Sequence, residues 1–202
     1  MTDGLIKSFN PIGDKKAVVL ILGTMPGRES LNKSEYYAYR RNSFWNIIGE
    51  LFGAGFNLEY EQRRKILIQN GIAVWDVLKC CERKGSDDSA IESEIANDFN
   101  AFFHKYSKIR NVFFNGQNTE KFYHRLVLPS LAGKYQNITY KTLPSTSPAN
   151  AHMNFREKLK IWLAVKAAAD SSSLQSCIAT LTNLEQIGII KAEQVTPPRP
   201  QS

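Results

Sequence analysis

Two hydrophobic patterns alternate along the chain: short continuous runs, and segments in which hydrophobic residues recur every three or four positions. The run at residues 17–23 is rich in β-branched residues and ends in glycine, which is typical of a strand buried on both faces. Residues 44–52 repeat hydrophobic residues at helical spacing. The same patterns predict strands at 72–78, 111–115 and 137–143, and helices at 59–70, 89–106, 119–128 and 154–169.

This alternation predicts an α/β fold, a three-layer α/β/α sandwich with a central four-stranded parallel sheet. Ligands of such sheets bind where the parallel strands reach their carboxyl ends. The loops that follow the predicted strands are therefore the places to look for chemistry. They span residues 23–41, 78–88, 115–118 and 144–152.

The chain of 202 residues fits one domain with an appendage. An Ala-Ala-Ala-Asp-Ser-Ser-Ser stretch at 167–173 predicts the end of the last domain helix, which bounds a domain of residues 1–169. The C-terminal extension, 170–202, has hydrophobic positions for one short amphipathic helix, and its proline-rich end is expected to be disordered. It could be an interaction segment, an extra packed helix or simply disordered.

Composition places the protein among soluble, globular, intracellular proteins. Hydrophobic residues make up 43% and charged residues 22%, and no hydrophobic run approaches the length that spans a membrane or forms a signal peptide. We expect a cytoplasmic monomer, in the bacterial cytosol or nucleoid, with no membrane partner. The three cysteines and three histidines have no metal-ligand spacing, so no metal and no cofactor are expected. A net charge of +7 modestly favours a nucleic-acid partner.

The first segment with candidate chemistry is Gly23-Thr-Met-Pro-Gly27, directly after the first predicted strand. Small residues and a proline allow backbone N–H groups to approach a ligand closely. The segment has neither the lysine of a phosphate-binding P-loop nor the Gly-x-Gly-x-x-Gly pattern of dinucleotide sites. A plain turn is the alternative interpretation.

The second segment, residues 36–45, places three tyrosines, two arginines and an asparagine just before a helix. Aromatic rings stack on nucleic-acid bases, and arginines neutralise phosphates. Phe44 and Trp45 are predicted to be core residues, and at least one tyrosine is expected to contact a ligand.

The third segment, residues 143–151, follows the last predicted strand. Two prolines stiffen it, and three hydroxyl groups with free backbone N–H groups suit phosphate binding. The alternative is a rigid turn that leads into the last helix.

The order and spacing of these segments resemble the uracil-DNA glycosylase superfamily over about residues 15–168. Its members carry a Gly-x-x-Pro-Gly type loop after the first strand and a loop containing Ser-Pro after the last, here residues 145–148. The run from Tyr37 to Trp45 is similar to the mismatch-specific branch, in which an Asn-x-Phe-Trp element follows a base-stacking aromatic residue.

Two departures from the uracil-excising branches change the expected substrate. Met25 stands where those branches commonly carry an acidic residue or asparagine that handles the attacking water, and Ser145 stands where the fast uracil enzymes carry a histidine. Asn42 of the Asn-x-Phe-Trp element could supply the missing polar group, as in the similar hypoxanthine-DNA glycosylase branch.

The resemblance thus implies a monofunctional glycosylase that flips a deaminated base out of double-stranded DNA, hydrolyses its N-glycosidic bond and leaves an abasic site for base excision repair. Hypoxanthine is the favoured base, and a mismatch-specific uracil-DNA glycosylase is the alternative. The motifs contain no lysine that could form a Schiff base. Two rivals remain: a catalytically silent binder of damaged DNA, favoured by Met25 and Ser145, and an enzyme of nucleosides or nucleotides.

Residue roles follow from the matched motifs. Asn42 is the predicted catalytic residue, either stabilising the departing base or orienting water, and Tyr37 is expected to stack on the flipped base. The predicted base-binding residues are Gly23, Thr24, Met25, Tyr37 and Asn115, although Asn115 could be a turn asparagine. The predicted DNA-binding residues are Pro26, Arg40, Arg41, Ser145, Thr146, Ser147, Pro148, Ala149, Asn150 and His152.

Three further titratable residues are weaker candidates. Asp76, inside the second predicted strand, could be a buried and hydrogen-bonded carboxylate. His104 and His124 fall within predicted helices, where isolated histidines are usually structural or exposed.

Overall fold

The computed structural model describes residues 5–83, 85, 88–131, 133–135 and 137–186. Seven strands and six helices follow one another in that part of the chain. The strands are β1 (Ile6–Lys7), β2 (Val19–Gly23), β3 (Ile72–Asp76), β4 (Leu78–Arg83), β5 (Ile91–Ala96), β6 (Asn111–Asn115) and β7 (Thr139–Leu143). The helices are α1 (Arg28–Lys33), α2 (Phe44–Phe52), α3 (Tyr60–Gln69), α4 (Phe99–Lys105), α5 (Gln117–Leu126) and α6 (Phe155–Gln186).

The central sheet has four parallel strands in the order β3-β2-β6-β7, with helices around it, which confirms the predicted α/β/α class. The register pairs Gly23 with Asp76, and Asn115 with Leu143. All four carboxyl ends therefore lie at one edge of the sheet, where the predicted site loops begin.

The core forms around strands that are buried along their whole length. Every residue of β2 and of β3 is buried, as expected for parallel strands that are covered on both faces. Phe44 and Trp45 are fully buried, which confirms their prediction as core residues, and Trp162 of α6 packs edge-on against Phe44. The first turn of α2 is thereby anchored beside the carboxyl edge.

A second sheet, antiparallel and ordered β1-β4-β5, replaces a predicted loop and part of a predicted helix. The helix expected from Ser89 is wrong, because residues 91–96 pair with β4, and α4 begins only after Asp98. The Asp98 side chain accepts the Ala101 N–H and so caps that helix. Antiparallel pairing between separate segments overrode a spacing that also suited a helix.

Helix α6 continues through the predicted boundary at 167–173 as far as Gln186, so the expected helix end is wrong. Alanine is the best helix former, and neither glycine nor proline interrupts the segment before position 188. The chain separates into two compact units, residues 1–169 and 170–202. The proline-rich end, predicted to be disordered, lies outside the described residues. None of the helices within the described ranges combines the length and hydrophobicity that crossing a bilayer requires.

Candidate active site

Gly23 ends β2 at a point where two polar groups converge. A Cβ atom on Gly23 would lie 2.6 Å from Asp76 Oδ1 and 3.0 Å from Tyr37 Oη. A larger residue would force Asp76 Oδ1 to move and would press tightly on Tyr37 Oη, so glycine permits this close approach. The carboxyl group and the phenol therefore flank the end of the central strand.

Tyr37 has an unusual backbone and a well-supported ring. Its φ of 55° lies in the left-handed region, which bulky residues rarely adopt. Phe44 stacks on the ring with a centroid distance of 3.8 Å and an interplanar angle of 16°. Burial raises the pKa of the phenol above its usual range, and the nearby Asp76 raises it further, so the phenol keeps its proton. Backbone strain of this kind is typical of functional sites.

Asn115 joins Tyr37 to the Ser145–Pro148 loop. Its Nδ2 donates to Tyr37 Oη at 3.1 Å and to Thr146 Oγ1 at 2.8 Å. Its Oδ1 accepts the Thr146 N–H at 2.8 Å. Both amide donors are thus engaged within the protein, and the side chain fixes the geometry of its two neighbours.

Asn42 presents a hydrogen-bond donor. Its Oδ1 accepts the Phe44 N–H at 3.0 Å at the start of α2, and this bond identifies which amide atom is the oxygen. The residue is half-buried, and its Nδ2 has no partner among the described residues. The NH2 of Asn42 is therefore a free donor, while its oxygen already accepts one hydrogen bond.

Ser43 connects the segment of Asn42 to the third loop. The Ser43 N–H donates to Thr146 O at 2.9 Å, and its hydroxyl reaches the same oxygen at 3.2 Å. Because Thr146 also binds Asn115, one buried threonine ties together the second segment, the end of β6 and the last loop.

The Ser-Pro loop is braced from within. Ser145 Oγ accepts the Ser147 N–H at 3.2 Å, and Ser147 Oγ accepts the Ala149 N–H at 3.3 Å. Asn150 Nδ2 donates to Ser145 O at 3.1 Å, and Lys158 Nζ donates to Asn150 O at 2.9 Å. The loop is thus a rigid turn whose serine hydroxyls retain their own hydrogens for an external acceptor.

Side chains from α5 and β4 hold the first loop in place. Thr24 Oγ1 lies 3.0 Å from Thr119 Oγ1, and the buried Arg83 donates to Pro26 O. Met25 is 7% exposed and belongs to the core, so the position that is polar in the uracil-excising branches is filled here by a thioether. This loop supplies backbone and shape rather than a polar side chain.

Asp76 is 3% exposed, and its pKa is raised to about 7 by burial. Ser8 Oγ donates to its Oδ2 at 2.7 Å, which opposes that rise. The prediction of a buried, hydrogen-bonded carboxylate is confirmed. Its place beside Gly23 depends on the β2–β3 register, and the one signal in the sequence is a charged residue at the end of a hydrophobic strand.

The residues predicted to contact DNA differ in accessibility. Arg40 and Arg41 are exposed, and the Arg40 guanidinium lies 4.6 Å from the centre of the Phe56 ring. Pro148, Ala149 and His152 are exposed, Ser145, Ser147 and Asn150 are half-buried, and Pro26 and Thr146 are buried. His104 and His124 are exposed on α4 and α5. Within the described residues, no group of three or more His, Cys, Asp or Glu side chains could hold a metal ion.

The protein is thus an α/β protein of parallel-sheet type with its three candidate loops at the carboxyl edge of the sheet. The comparison with known families agrees, because residues 11–182 match the uracil DNA glycosylase superfamily, and the chain belongs to this family.

Three individual proteins show which members of this superfamily the chain is similar to. A protein of Methanosarcina acetivorans named hypoxanthine DNA glycosylase is 34% identical over 160 residues, which cover 79% of this chain and 96% of that protein. A protein of the same name from Methanosarcina barkeri is 32% identical over 117 residues, or 57% of this chain and 74% of that protein. The solution NMR structure of a Methanosarcina acetivorans protein classed with the uracil DNA glycosylases superposes with a TM-score of 0.69 at 33% identity, covering 83% and 99% of the two chains.

Proposed function

We propose that the protein is a monofunctional DNA glycosylase that releases hypoxanthine from double-stranded DNA and leaves an abasic site. The observation that carries this proposal is the available amide donor of Asn42, held in one hydrogen-bonded assembly with Tyr37 and the Ser-Pro loop, beside a first loop without a polar side chain. The relatives named hypoxanthine DNA glycosylase support the choice of base.

The reaction begins with extrusion of the nucleotide, because a base cannot be attacked inside the stack. Extrusion costs a few kcal/mol and is easiest at a mispair, which a deaminated base already forms. The Tyr37 ring is half-buried and backed by Phe44, so it offers a rigid surface on which the extruded base stacks.

Bond cleavage leaves negative charge on the departing base. The carbonyl oxygen of hypoxanthine accepts hydrogen bonds, and the Asn42 NH2 donates to it. A donor suits a developing oxyanion, and removing one such donor typically lowers the rate about 10²–10³-fold. Of the two roles left open by the sequence, stabilisation of the leaving base is therefore the one we propose.

Duplex DNA is held by positive charge and by the rigid loop. Arg40 and Arg41 are exposed beside the site, and the chain carries a net charge of +7. The hydroxyls of Ser145 and Ser147 reach flanking phosphates. One of the three residues Ala149, Asn150 and His152 fills the gap that the extruded nucleotide leaves in the duplex.

Cleavage proceeds without a covalent enzyme–DNA intermediate. Lys158 contacts the Ser-Pro loop, and burial lowers its pKa, but its Nζ donates to Asn150 O and supports the loop. Borohydride treatment should trap no adduct with DNA, and a trapped adduct would contradict the monofunctional mechanism. We also propose that the protein is cytoplasmic and acts as a monomer; sedimentation of the protein alone and with DNA would test the monomeric state.

The decisive experiment measures alkali-induced strand cleavage of labelled duplexes that contain one hypoxanthine, uracil or xanthine. The wild type should release hypoxanthine, and Asn42→Ala should lose this activity by about 10²–10³-fold. Asn46→Ala, on the exposed face of α2, is the matched control and should behave as the wild type. Release of uracil alone would indicate the mismatch-specific alternative, and binding without release of any base would indicate a silent binder.

A further inference from the structure

The first loop leaves one requirement of the reaction unmet. Hydrolysis needs a group that holds water and accepts its proton, and Met25 can do neither. Asn42 presents a donor, which suits the departing base better than a water that must lose a proton. A proton-accepting side chain at the end of another strand of the sheet would meet this requirement.

We propose that the Asp76 carboxylate holds the attacking water and accepts its proton, which makes Asp76 a second catalytic residue. This inference rests on the proposed glycosylase function. The uracil-excising branches commonly carry the acidic group in the first loop. In this protein, the carboxylate would instead come from the end of the neighbouring strand, β3.

The geometry gives the two carboxylate oxygens separate tasks. Oδ2 accepts the hydroxyl hydrogen of Ser8 at 2.7 Å, which fixes the orientation of the group. Oδ1 lies 2.6 Å from the position that a Cβ on Gly23 would take, and it has no hydrogen-bond partner among the described residues. The free oxygen and the Tyr37 hydroxyl thus both lie next to the position that a Cβ on Gly23 would take.

The bond changes balance without a co-reactant other than water. The water oxygen forms a bond to C1′ of the deoxyribose, and the bond from C1′ to the base nitrogen breaks. The electron pair of that bond leaves with the base, while the water proton passes to Asp76 Oδ1. The base then takes up a proton from solvent, and the carboxyl group loses its proton to restore the resting enzyme.

The charges around Asp76 suit this role. Burial and the negative charge of Asp88 raise its pKa, whereas the Ser8 hydroxyl and the positive charge of Arg83 lower it, with a balance at about 7. Tyr36 and Tyr37 also face the group, and both keep their protons because burial raises their pKa values. A base with a pKa near the working pH combines a usable ionised fraction with a good driving force for proton transfer.

A buried carboxyl group with a purely structural role is the competing explanation, and the pH profile separates the two. We would measure single-turnover release of hypoxanthine from pH 5 to 9 for the wild type, Asp76→Asn, Ser8→Ala and Asp98→Asn. Asp98→Asn is the matched control, because that carboxylate only caps α4.

The wild-type rate should rise with a midpoint near pH 7. Asp76→Asn should lower the rate about 10²–10⁴-fold and remove this rise, while affinity for a duplex with a non-cleavable substrate analogue changes less than about threefold. Ser8→Ala should shift the midpoint to higher pH, because the hydrogen bond that favours the charged form is gone. Asp98→Asn should leave the midpoint unchanged.

Two results would overturn the inference alone: Asp76→Asn with the wild-type rate and pH profile, or Ser8→Ala with an unmoved midpoint. The second variant decides the question even if Asp76→Asn fails to fold. A wild type that releases no base from any duplex would instead overturn the proposed function, and the role of Asp76 with it.

Discussion

The Tyr37 phenol accepts a hydrogen bond from the Asn115 amide at 3.1 Å, although the two residues are 78 positions apart in the chain. The bond links the aromatic residue of the second segment to the end of the central strand β6. Because Asn115 also holds Thr146 through two bonds, Tyr37 and the Ser-Pro loop share one support. The site is therefore assembled by the whole domain rather than by any single motif.

The ring of Tyr37 contacts Phe44 and its hydroxyl contacts Asn115, so two substitutions can test the two groups separately. Tyr37→Phe keeps the ring and its stacking on Phe44 but leaves one Asn115 donor unpaired, so we expect a stability loss of about 1–3 kcal/mol and a largely retained rate. Tyr37→Ala should weaken binding of the extruded base by about 1–3 kcal/mol. Single-turnover kinetics and thermal unfolding measure both effects. The exposed Tyr39, changed to alanine, is the control, and equal losses in both alanine variants would refute stacking by Tyr37.

Asn42→Asp tests which role the amide has. The aspartate keeps an oxygen to accept the Phe44 N–H and so preserves the start of α2, but it replaces the donor with a negative charge. If Asn42 stabilises the departing base, the single-turnover rate should fall at least as far as in Asn42→Ala, because the new charge opposes the developing anion. An Asp variant faster than the Ala variant would instead favour orientation of water.

Gly23→Ala should disturb the site more than its small size suggests. The new methyl group would lie 2.6 Å from Asp76 Oδ1, so the carboxyl group has to move, at a cost of about 1–3 kcal/mol in unfolding free energy and with a large loss of rate. Gly53→Ala is the comparison: it strains a φ of 79°, but nothing lies within 4 Å of the added group. We expect the two variants to be destabilised to a similar extent and only Gly23→Ala to lose activity. Full activity in Gly23→Ala would contradict the close approach of Asp76 to Gly23.

Affinity for undamaged duplex should fall steeply as salt rises. Arg40→Ala and Arg41→Ala should each lower the slope of log affinity against log salt by about 1, because each arginine is expected to neutralise one phosphate. Arg64→Ala serves as the control, since Arg64 is paired with Glu61 at 2.6 Å. Slopes that are unchanged in the first two variants would place the DNA on another surface.

The free energy of unfolding should also depend on pH through the protonation state of Asp76. Its pKa is about 7 in the folded protein and 3.8 as the reference value, so between these limits the folded state binds the additional proton. Stability from this group is therefore full below pH 3.8 and is lost as pH rises towards 7, by up to about 4 kcal/mol. Urea unfolding of the wild type and Asp76→Asn at pH 5 and pH 8 checks the sign: the wild type should lose stability relative to the variant at the higher pH.

Local patterns were sufficient where one element dictates its own structure. Residues 44–52 were predicted as a helix with the bounds of α2, and 111–115 as a strand with the bounds of β6, because dense hydrophobic spacing leaves few alternatives. The motifs at Gly23, Tyr37 and Ser145 were sufficient to indicate the superfamily that the comparison confirms.

The sequence was insufficient where structure depends on partners far along the chain. Strands β4 and β5 form because they pair with each other. Glu82 lies opposite Glu92, and nothing in the sequence near either residue indicates this pairing. The position of Asp76 beside Gly23 depends on strand register, and the contact between Ser8 and Asp76 joins residues 68 positions apart. No periodicity within one segment carries such information.

The contact of Ser8 with Asp76 has a practical consequence for anyone who prepares this protein. Ser8 directly follows the two-residue strand β1, which pairs with Cys80 and Cys81, so this pairing positions the hydroxyl that holds Asp76. If Asp76 is the base that we propose, we expect an affinity tag fused close to this segment to shift the pH dependence of the rate by displacing the Ser8 hydroxyl. Preparations that differ only there are not interchangeable in kinetic comparisons.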